Sequence, residues 1–423
     1  MGNMPDRDSR GSIDRRSFLK GSIGALGLAS AAGCLGDDTG GDSGPLRFGY
    51  STSLSGPAAV LGQQYHTGFQ IWRDHVNDNG GILSRQVELT HYDDESSPDR
   101  ARELANRLAA EDGVDFMFGP YGSPTNYSAS VVTQQQKIPM VSGAASDPDI
   151  FGRDLEYFYS VLSRTDKYGK SFPNFLQSVD WDAHGVDEPS TAAALRADAA
   201  YTSTLGKAFI ENLENQGIEV AYEEEYPTDL QDFSNIISSI ENADPDILCM
   251  CGFPADEARF AEQAQQADLN VDIHYQNYSS QTVIVDTLGD QVDYMLNGAW
   301  WDRRYEYNRA NTYVDMWNER EDSVAEMPLS YATAAGMVYE DSIERAGSTD
   351  PDDVNEAIAE TNMETILGPT EFHETGWNVH QYNNEAVRQW QNQEMTLLYP
   401  DDFATGDLWL PTPEWGERDS PPQ

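Results

Sequence analysis

The feature that most constrains this chain is an alternation, begun at Leu46, between short apolar runs and amphipathic stretches of helical length. Residues 46–51, 86–91, 114–118 and 138–141 read as strands, and 58–79, 98–111 and 124–135 read as the helices between them. Strands separated by helices run parallel, because each crossover returns the chain to the same end of the sheet, and such a sheet needs helices on both faces. Ser97-Pro98 supplies an N-cap and a proline at the first helical position, and Gly80-Gly81 stops the preceding helix. After a less regular region over 151–190 the alternation resumes, with strands over 191–195, 218–222, 246–251 and 271–275 and helices over 203–215, 233–242 and 256–267. Helical patterns over 330–346 and 351–360 and a strand-turn-strand over 388–398 follow, too little for a third sheet. Two open α/β lobes in tandem are predicted.

The length of 423 residues allows two or three domains of roughly 100–200 residues each. No apolar run reaches the roughly 18 residues that span a bilayer, which excludes a multi-span membrane protein. With 72 acidic against 26 basic residues the net charge is -46, so phosphate backbones are repelled and nucleic acid is excluded as a partner. Only five basic residues are lysines, Lys20, Lys137, Lys167, Lys170 and Lys207, and the acid excess spreads over the whole chain. A carboxylate surface stays hydrated when molar salt shortens the Debye length to about 3 Å, so the surface reads as halophilic; an acidic protein from a low-salt setting is the alternative. Cys249 and Cys251 fall on one face of a buried strand, as small hydrophobes, and no disulfide framework exists.

The N-terminus resembles an export signal. Asp14-Arg15-Arg16-Ser17-Phe18-Leu19-Lys20 carries twin arginines, followed by a Gly- and Ala-rich stretch and then Ala31-Ala32-Gly33-Cys34, small residues ahead of a cysteine as in a lipobox. Residues 1–33 are expected to be the signal peptide, Cys34 the lipidated residue, and the polar stretch up to Pro45 a flexible tether.

In open α/β sheets ligands bind beyond the carboxyl ends of the strands. After strand 114–118 comes Gly119-Pro120-Tyr121-Gly122-Ser123, where glycines admit a ligand to the backbone and Ser123 stands at a helix N-terminus, as a donor to a carboxylate or merely as an N-cap. After strand 138–141 comes Ser142-Gly143-Ala144-Ala145-Ser146-Asp147, with the same chemistry.

Ser53-Leu54-Ser55-Gly56-Pro57, Asn79-Gly80-Gly81-Ile82, Asp93-Asp94-Glu95-Ser96-Ser97-Pro98, Gly119-Pro120 and Ser142-Gly143-Ala144-Ala145-Ser146 follow one another as in the leucine/isoleucine/valine-binding protein family. Residues 346–351, 367–372 and 389–391 resemble that family's C-terminal blocks. The resemblance implies an α/β fold of two Rossmann-like lobes with parallel central sheets, joined by three crossovers, the type I periplasmic-binding architecture. It places 46–165 and 300–368 in the first lobe, 166–299 and 369–405 in the second, and leaves 406–423 as a tail. The chain is expected to return to the first lobe near Asn297 to Trp301. The implied function is that of an extracytoplasmic receptor that delivers a small amino acid, amide or carboxylate to the membrane permease of an ABC importer, with no cofactor, no metal and no enzymatic activity. With the N-terminus, this describes a haloarchaeal-type exported lipoprotein anchored on the outer face of the cell membrane.

Carried over residue by residue, the resemblance puts the ligand carboxylate on Ser123, with Tyr121 in the same loop, and on Ala144 and Ser146. It puts facing aromatics at Tyr201 and Phe253, whose alternative reading is ordinary buried or surface rings. Two positions depart from the pattern. The aromatic that should follow Gly56-Pro57 falls near Leu61, and the acid that should hold a ligand ammonium falls near Gln276-Asn277, making Asn277 the candidate contact. Asp286 or Glu225 could substitute if the loops run differently. An unpaired ammonium in a closed cleft is costly, so an amide or an amine-free carboxylate becomes a candidate ligand. Among rival chemistries, Asp93-Asp94-Glu95 read as capping and solvated charges rather than an acid/base pair. Glu371, His373 and His380 match no tight metal site, with Gly376-Trp377-Asn378 a turn beside them. A ligand sensor of the same fold and a lipid-anchored hydrolase are the alternative functions.

If Cys34 carries the anchor, Cys34→Ser releases the protein into the medium with its ligand binding intact; fractionation that still finds the variant on membranes counts against lipidation.

Overall fold

The computed structural model describes residues 44–280, 282–418 and 422; the twin-arginine segment and Cys34 lie outside the described residues. The first sheet is parallel throughout, in the order β2-β1-β3-β4-β5, where β1 is Leu46–Thr52, β2 Val87–Asp93, β3 Phe116–Phe118, β4 Met140–Ser142 and β5 Phe158–Ser160. Strand β5, three buried residues without alternation, is the one strand of this sheet absent from the sequence reading.

The second sheet has seven strands, with β6 Thr191–Ala197, β7 Glu219–Tyr226, β8 Ile247–Cys251, β9 Ile273–Gln276 and β10 Leu296–Ala299 parallel in the order β10-β9-β8-β6-β7. Residues 362–365 and 368–371 form a separate antiparallel pair, β11 (Asn362–Thr365) and β12 (Gly368–Glu371), so the C-terminal part does build a small sheet of its own, contrary to expectation. The hairpin of β13 (Ala386–Gln391) and β14 (Glu394–Tyr399) extends the second sheet antiparallel beside β10. Before joining it, the chain runs along the edge of the first sheet: Ser160 N donates to Gly376 O at 2.7 Å and Asn378 N to Ser160 O at 3.1 Å. Residues 407–415 are fastened to the second lobe, with Gln391 Nε2 donating to Asp407 O and Trp415 Nε1 to Leu269 O, each at 2.7 Å.

Pattern and packing agree closely in the helices. Ala59–Asp78 ends where predicted because Gly80 and Gly81 take φ of 103° and 79°; a Cβ on Gly81 would also lie 2.0 Å from Arg85 O. Ser97 caps Pro98–Arg107 by accepting from Arg100 N. The long helix Met327–Ala346, far away in sequence, packs on Ala59–Asp78 and closes the first lobe. Between them Phe48, Phe69, Trp72, Phe118 and Tyr339 form a fully buried aromatic block, with Phe69 and Phe118 centroids 4.3 Å apart. Cys249 and Cys251 are buried free thiols on β8, as read from the alternation.

One expectation is overturned here. Asp94 is not a solvated charge: it is completely buried and accepts from Ser51 Oγ, Ser53 Oγ and Ser96 N, each at 3.0 Å. Asp93 accepts from Leu54 N, Ser55 N and Glu95 N. The pair fastens the loop after β1 to the end of β2, because carboxylates removed from water need donors and these loops present theirs.

Helix packing in the first lobe depends on missing side chains. A Cβ on Gly336 would lie 2.4 Å from the buried indole of Trp72, so Gly336→Ala is expected to destabilise the protein by roughly 1–3 kcal/mol through overpacking. Denaturant unfolding in molar salt checks this, and an unchanged midpoint contradicts the packing account.

Candidate functional site

The carboxyl ends of β3 and β4 deliver two loops to one place. Gly122, with φ of 95°, is the N-cap of Ser123–Gln136, so Ser123 is the first helical residue and not the cap. The loop is rigid: Asn126 Nδ2 donates to Pro120 O at 2.6 Å and Thr125 Oγ1 to Tyr121 O at 2.7 Å. Ser123 Oγ accepts from Ser146 N at 3.1 Å and Asp147 N at 3.2 Å, which ties the β3 loop to the β4 loop. Two backbone N–H groups thus use the oxygen's lone pairs while its own proton stays available to an acceptor. Ser146 is buried in turn, its carbonyl accepting from Thr165 N at 2.7 Å and its Oγ 3.0 Å from Thr165 Oγ1. Ala144 is buried between them, with its N–H on Ser142 Oγ.

The aromatic sought near Leu61 stands one helical turn further on. Tyr65 donates to Gly119 O at 3.2 Å and accepts from Gly143 N at 2.9 Å, so one phenol joins both loops, and its ring meets Tyr121 edge-on at 5.6 Å. The signal was present as spacing, since residues four apart share a helix face.

From the second lobe, Tyr201 lies at the start of Ala200–Asn215 and packs edge-on against Trp300 at 5.9 Å; Tyr278, after β9, and Tyr168 meet the same indole at 6.5 and 5.3 Å. Burial pushes the Tyr121 phenol well up, and the nearby Tyr278 and Tyr65 phenols push it further. Tyr201 is raised by burial first and then by Tyr278, Tyr331 and Tyr168. Tyr121, Tyr201 and Tyr278 all pack against one continuous buried cluster, and every phenol in this wall is neutral, able to donate and accept.

Phe253 and Asn277 sit differently. Phe253 is the N-cap residue of Pro254–Gln266 and stays exposed. Asn277 is buried; its N–H donates to Met250 O, its carbonyl accepts from Asn297 Nδ2, and its Nδ2 has no partner. It lines a cavity of about 10 Å³ with Ser171, Trp300 and Glu385. Of the substitute acids, Glu225 is held by Arg196 Nε at 3.2 Å and Ser203 Oγ at 3.1 Å, and Asp286 is exposed on Thr282–Leu288. The acid beneath the cleft loops is Glu257, fully buried and accepting from Gly252 N at 2.8 Å and Tyr278 N at 2.6 Å; burial raises its carboxyl well above the usual range. It positions loops, as Asp94 does, and a carboxylate three residues into a helix gave no sequence signal of that role.

The three crossings between the lobes converge on two side chains. Gln381 donates from Nε2 to Trp300 O at 2.9 Å and accepts at Oε1 from Ser163 N at 3.3 Å, so the third crossing holds the first two. Glu385 accepts from Gly169 N at 3.1 Å, Lys170 N at 3.3 Å, and Ser171 N and Oγ.

Two lobes with largely parallel sheets on three crossings, one carrying hydroxyl-bearing loops and the other an aromatic cluster, define a two-lobed binding-protein architecture. The chain belongs to the periplasmic binding protein family, whose model matches residues 45–393. Among its relatives, the leucine-, isoleucine-, valine-, threonine- and alanine-binding protein of Pseudomonas aeruginosa is 24% identical over 350 residues, 81% of this chain and 91% of the relative. A leucine-binding protein from Thermotoga maritima superimposes with a TM-score of 0.72 at 20% identity, covering 84% of this chain and 99% of that one. A solute-binding protein of an ABC transporter from R. palustris, solved with benzoate, gives 0.69 at 16% identity, covering 84% and 96%.

Burial raises the Glu385 carboxyl to about 7, against the opposing pull of the backbone N–H groups of Gly169, Ser171 and Lys170. The neighbouring Tyr168 and Tyr275 are raised by burial as well, and Cys251 by its contact with Cys249 and then by burial, so all three stay neutral. A carboxyl whose folded pKa lies above its unfolded value of 4.5 holds a proton that the unfolded chain releases, so stability is lost as pH climbs from about 4.5 to about 7. Glu385→Gln is expected to remove that slope, on the order of 3 kcal/mol. Unfolding of both proteins at pH 5 and pH 8 in the same molar salt checks it; equal pH dependence refutes the assignment.

Proposed function

We propose that this chain is the extracytoplasmic solute receptor of an ABC importer, which closes its lobes on a small carboxylate or amide and presents it to a membrane permease. The observation that carries the reading is the Ser123 bridge: it fixes two loops of small residues and leaves one hydroxyl proton for a ligand oxygen, and the second lobe adds the clustered rings of Tyr201, Tyr278 and Trp300. The site residues we assign are Ser123, Ala144, Ser146, Tyr121 and Tyr201, with Phe253 at the rim and Asn277 behind Trp300. The reading assigns no reaction, cofactor or metal. Lipid attachment at Cys34 on the outer face of the membrane and adaptation of the acidic surface to molar salt belong to the same proposal, supported by the N-terminal pattern and the charge of -46. We divide the lobes as 46–165 with 300–378 and 166–299 with 379–405; the bonds of Ser160 to Gly376 and Asn378 support moving the return to the second lobe from 369 to 379.

The ligand class follows from charge. The Pseudomonas relative is named for amino acids and the R. palustris protein holds benzoate. In this chain Glu225 is paired with Arg196, Asp286 is exposed and Glu257 lies beneath its own loops. This favours an amine-free carboxylate whose apolar body packs on the tyrosines.

A thermal-shift screen in molar salt with benzoates, aliphatic carboxylates, amides and branched-chain amino acids tests the function, since a ligand at 100 times its Kd adds about 2.7 kcal/mol. With the ligand found, Ser123→Ala is expected to weaken binding roughly 10- to 150-fold and Ser123→Thr to restore most of it. Affinity unchanged in Ser123→Ala rejects the site, and no shift with any of these solutes rejects the function.

A further inference from the structure

Among the described residues, the second lobe buries a cation that has no counter-ion. Arg418 is completely inaccessible to solvent; its Nε donates to Pro413 O at 3.2 Å, but Nη1 and Nη2 have no hydrogen-bond partner. Its guanidinium lies 3.5 Å from the ring centroid of Trp415. His274, on β9, meets that indole edge-on at 6.2 Å; it is 2% exposed and its Nε2 is likewise unpartnered. The remaining ring against the imidazole is Phe260. Among the described residues no carboxylate forms an ion pair with Arg418, and the titratable groups in its field are His274 and Tyr294. Burial lowers the guanidinium to about 9 and, together with Arg418, lowers His274 to about 3, so the imidazole is neutral and can donate from Nε2 in that tautomer.

Three orphaned nitrogens around one indole, all able to donate, call for an acceptor. A guanidinium held out of water also calls for negative charge, which a water molecule does not supply. We propose that the second lobe holds a buried halide, chloride in ordinary salt, bound by Arg418 and His274 beside Trp415. Because Arg418 ends the segment that Trp415 Nε1 and Thr412 Oγ1 fasten to Leu269 O and Asp272 O, the ion locks that segment to the lobe. Chloride then acts as a structural ligand, separately from its general screening of the acidic surface.

The test is crystallisation of the exported protein with sodium bromide in place of chloride. An anomalous peak is expected in contact with the Arg418 Nη atoms and His274 Nε2, and is expected to be absent in Arg418→Met. In solution, replacing chloride by gluconate at constant molar ionic strength is expected to lower the wild-type melting temperature by a few °C and to leave Arg418→Met unchanged. If that variant does not fold, His274→Phe serves in both measurements. Ordinary density without anomalous signal, which marks a water, overturns the proposal. So does a peak that survives Arg418→Met, or one that appears only in Asp419→Asn, which makes the chain's own carboxylate the counter-ion. Equal wild-type melting temperatures in the two salts also overturn it.

Discussion

Gln381 and Glu385 are the constraint on which the rest of the molecule depends. The two sheets share no strand, so their relation is set by three crossings, and backbone outside a sheet leaves its N–H and C=O groups without ladder partners. Gln381 satisfies one group on each of the first two crossings, and Glu385 collects the N–H groups of 169–171. A bundle of three chains held by side chains, rather than by a sheet, keeps its partners through modest changes of backbone angle. Such a bundle suits a hinge: the lobes stay in register while their edges remain free to separate.

At those edges the same device recurs. Five loops beyond strand ends are pinned by buried polar side chains: Asp94 for the loop after β1, Tyr65 for those after β3 and β4, Glu257 for those after β8 and β9. Ser123 then links two of the pinned loops. A cleft built this way has its donors oriented before any solute arrives, which limits the ordering cost of binding.

How much of this was legible follows from what sequence patterns encode. Periodicity reports burial, so most strands and helices, the two-lobed α/β class and the loops carrying Ser123 and Ser146 could be read directly. Strand β5 escaped because three buried residues carry no period. The pins escaped for another reason: whether an acid is solvated or buried depends on donors remote in sequence. Asp94 and Glu257 look like surface charges in a chain full of them. Tyr65 was missed by one helical turn because the reading followed position instead of helix face. Gln381 and Glu385 bond residues more than two hundred positions earlier, and no local pattern marks such pairs.

Strand β7, the free edge of the second sheet, exposes Glu219, Glu223, Glu224 and Glu225 beside only partly covered apolar residues. An open edge is a template on which another chain can add a strand. In concentrated salt, repulsion between such edges reaches only about 3 Å, so charge at a distance no longer keeps molecules apart. What remains is the water held by Glu219 and Glu224, since Glu223 and Glu225 are paired with Arg196: a second strand must strip that hydration before its first hydrogen bond forms. Glu219 and Glu224 of β7 thus act as a desolvation barrier to edge-on strand addition, one that does not weaken as the charges are screened.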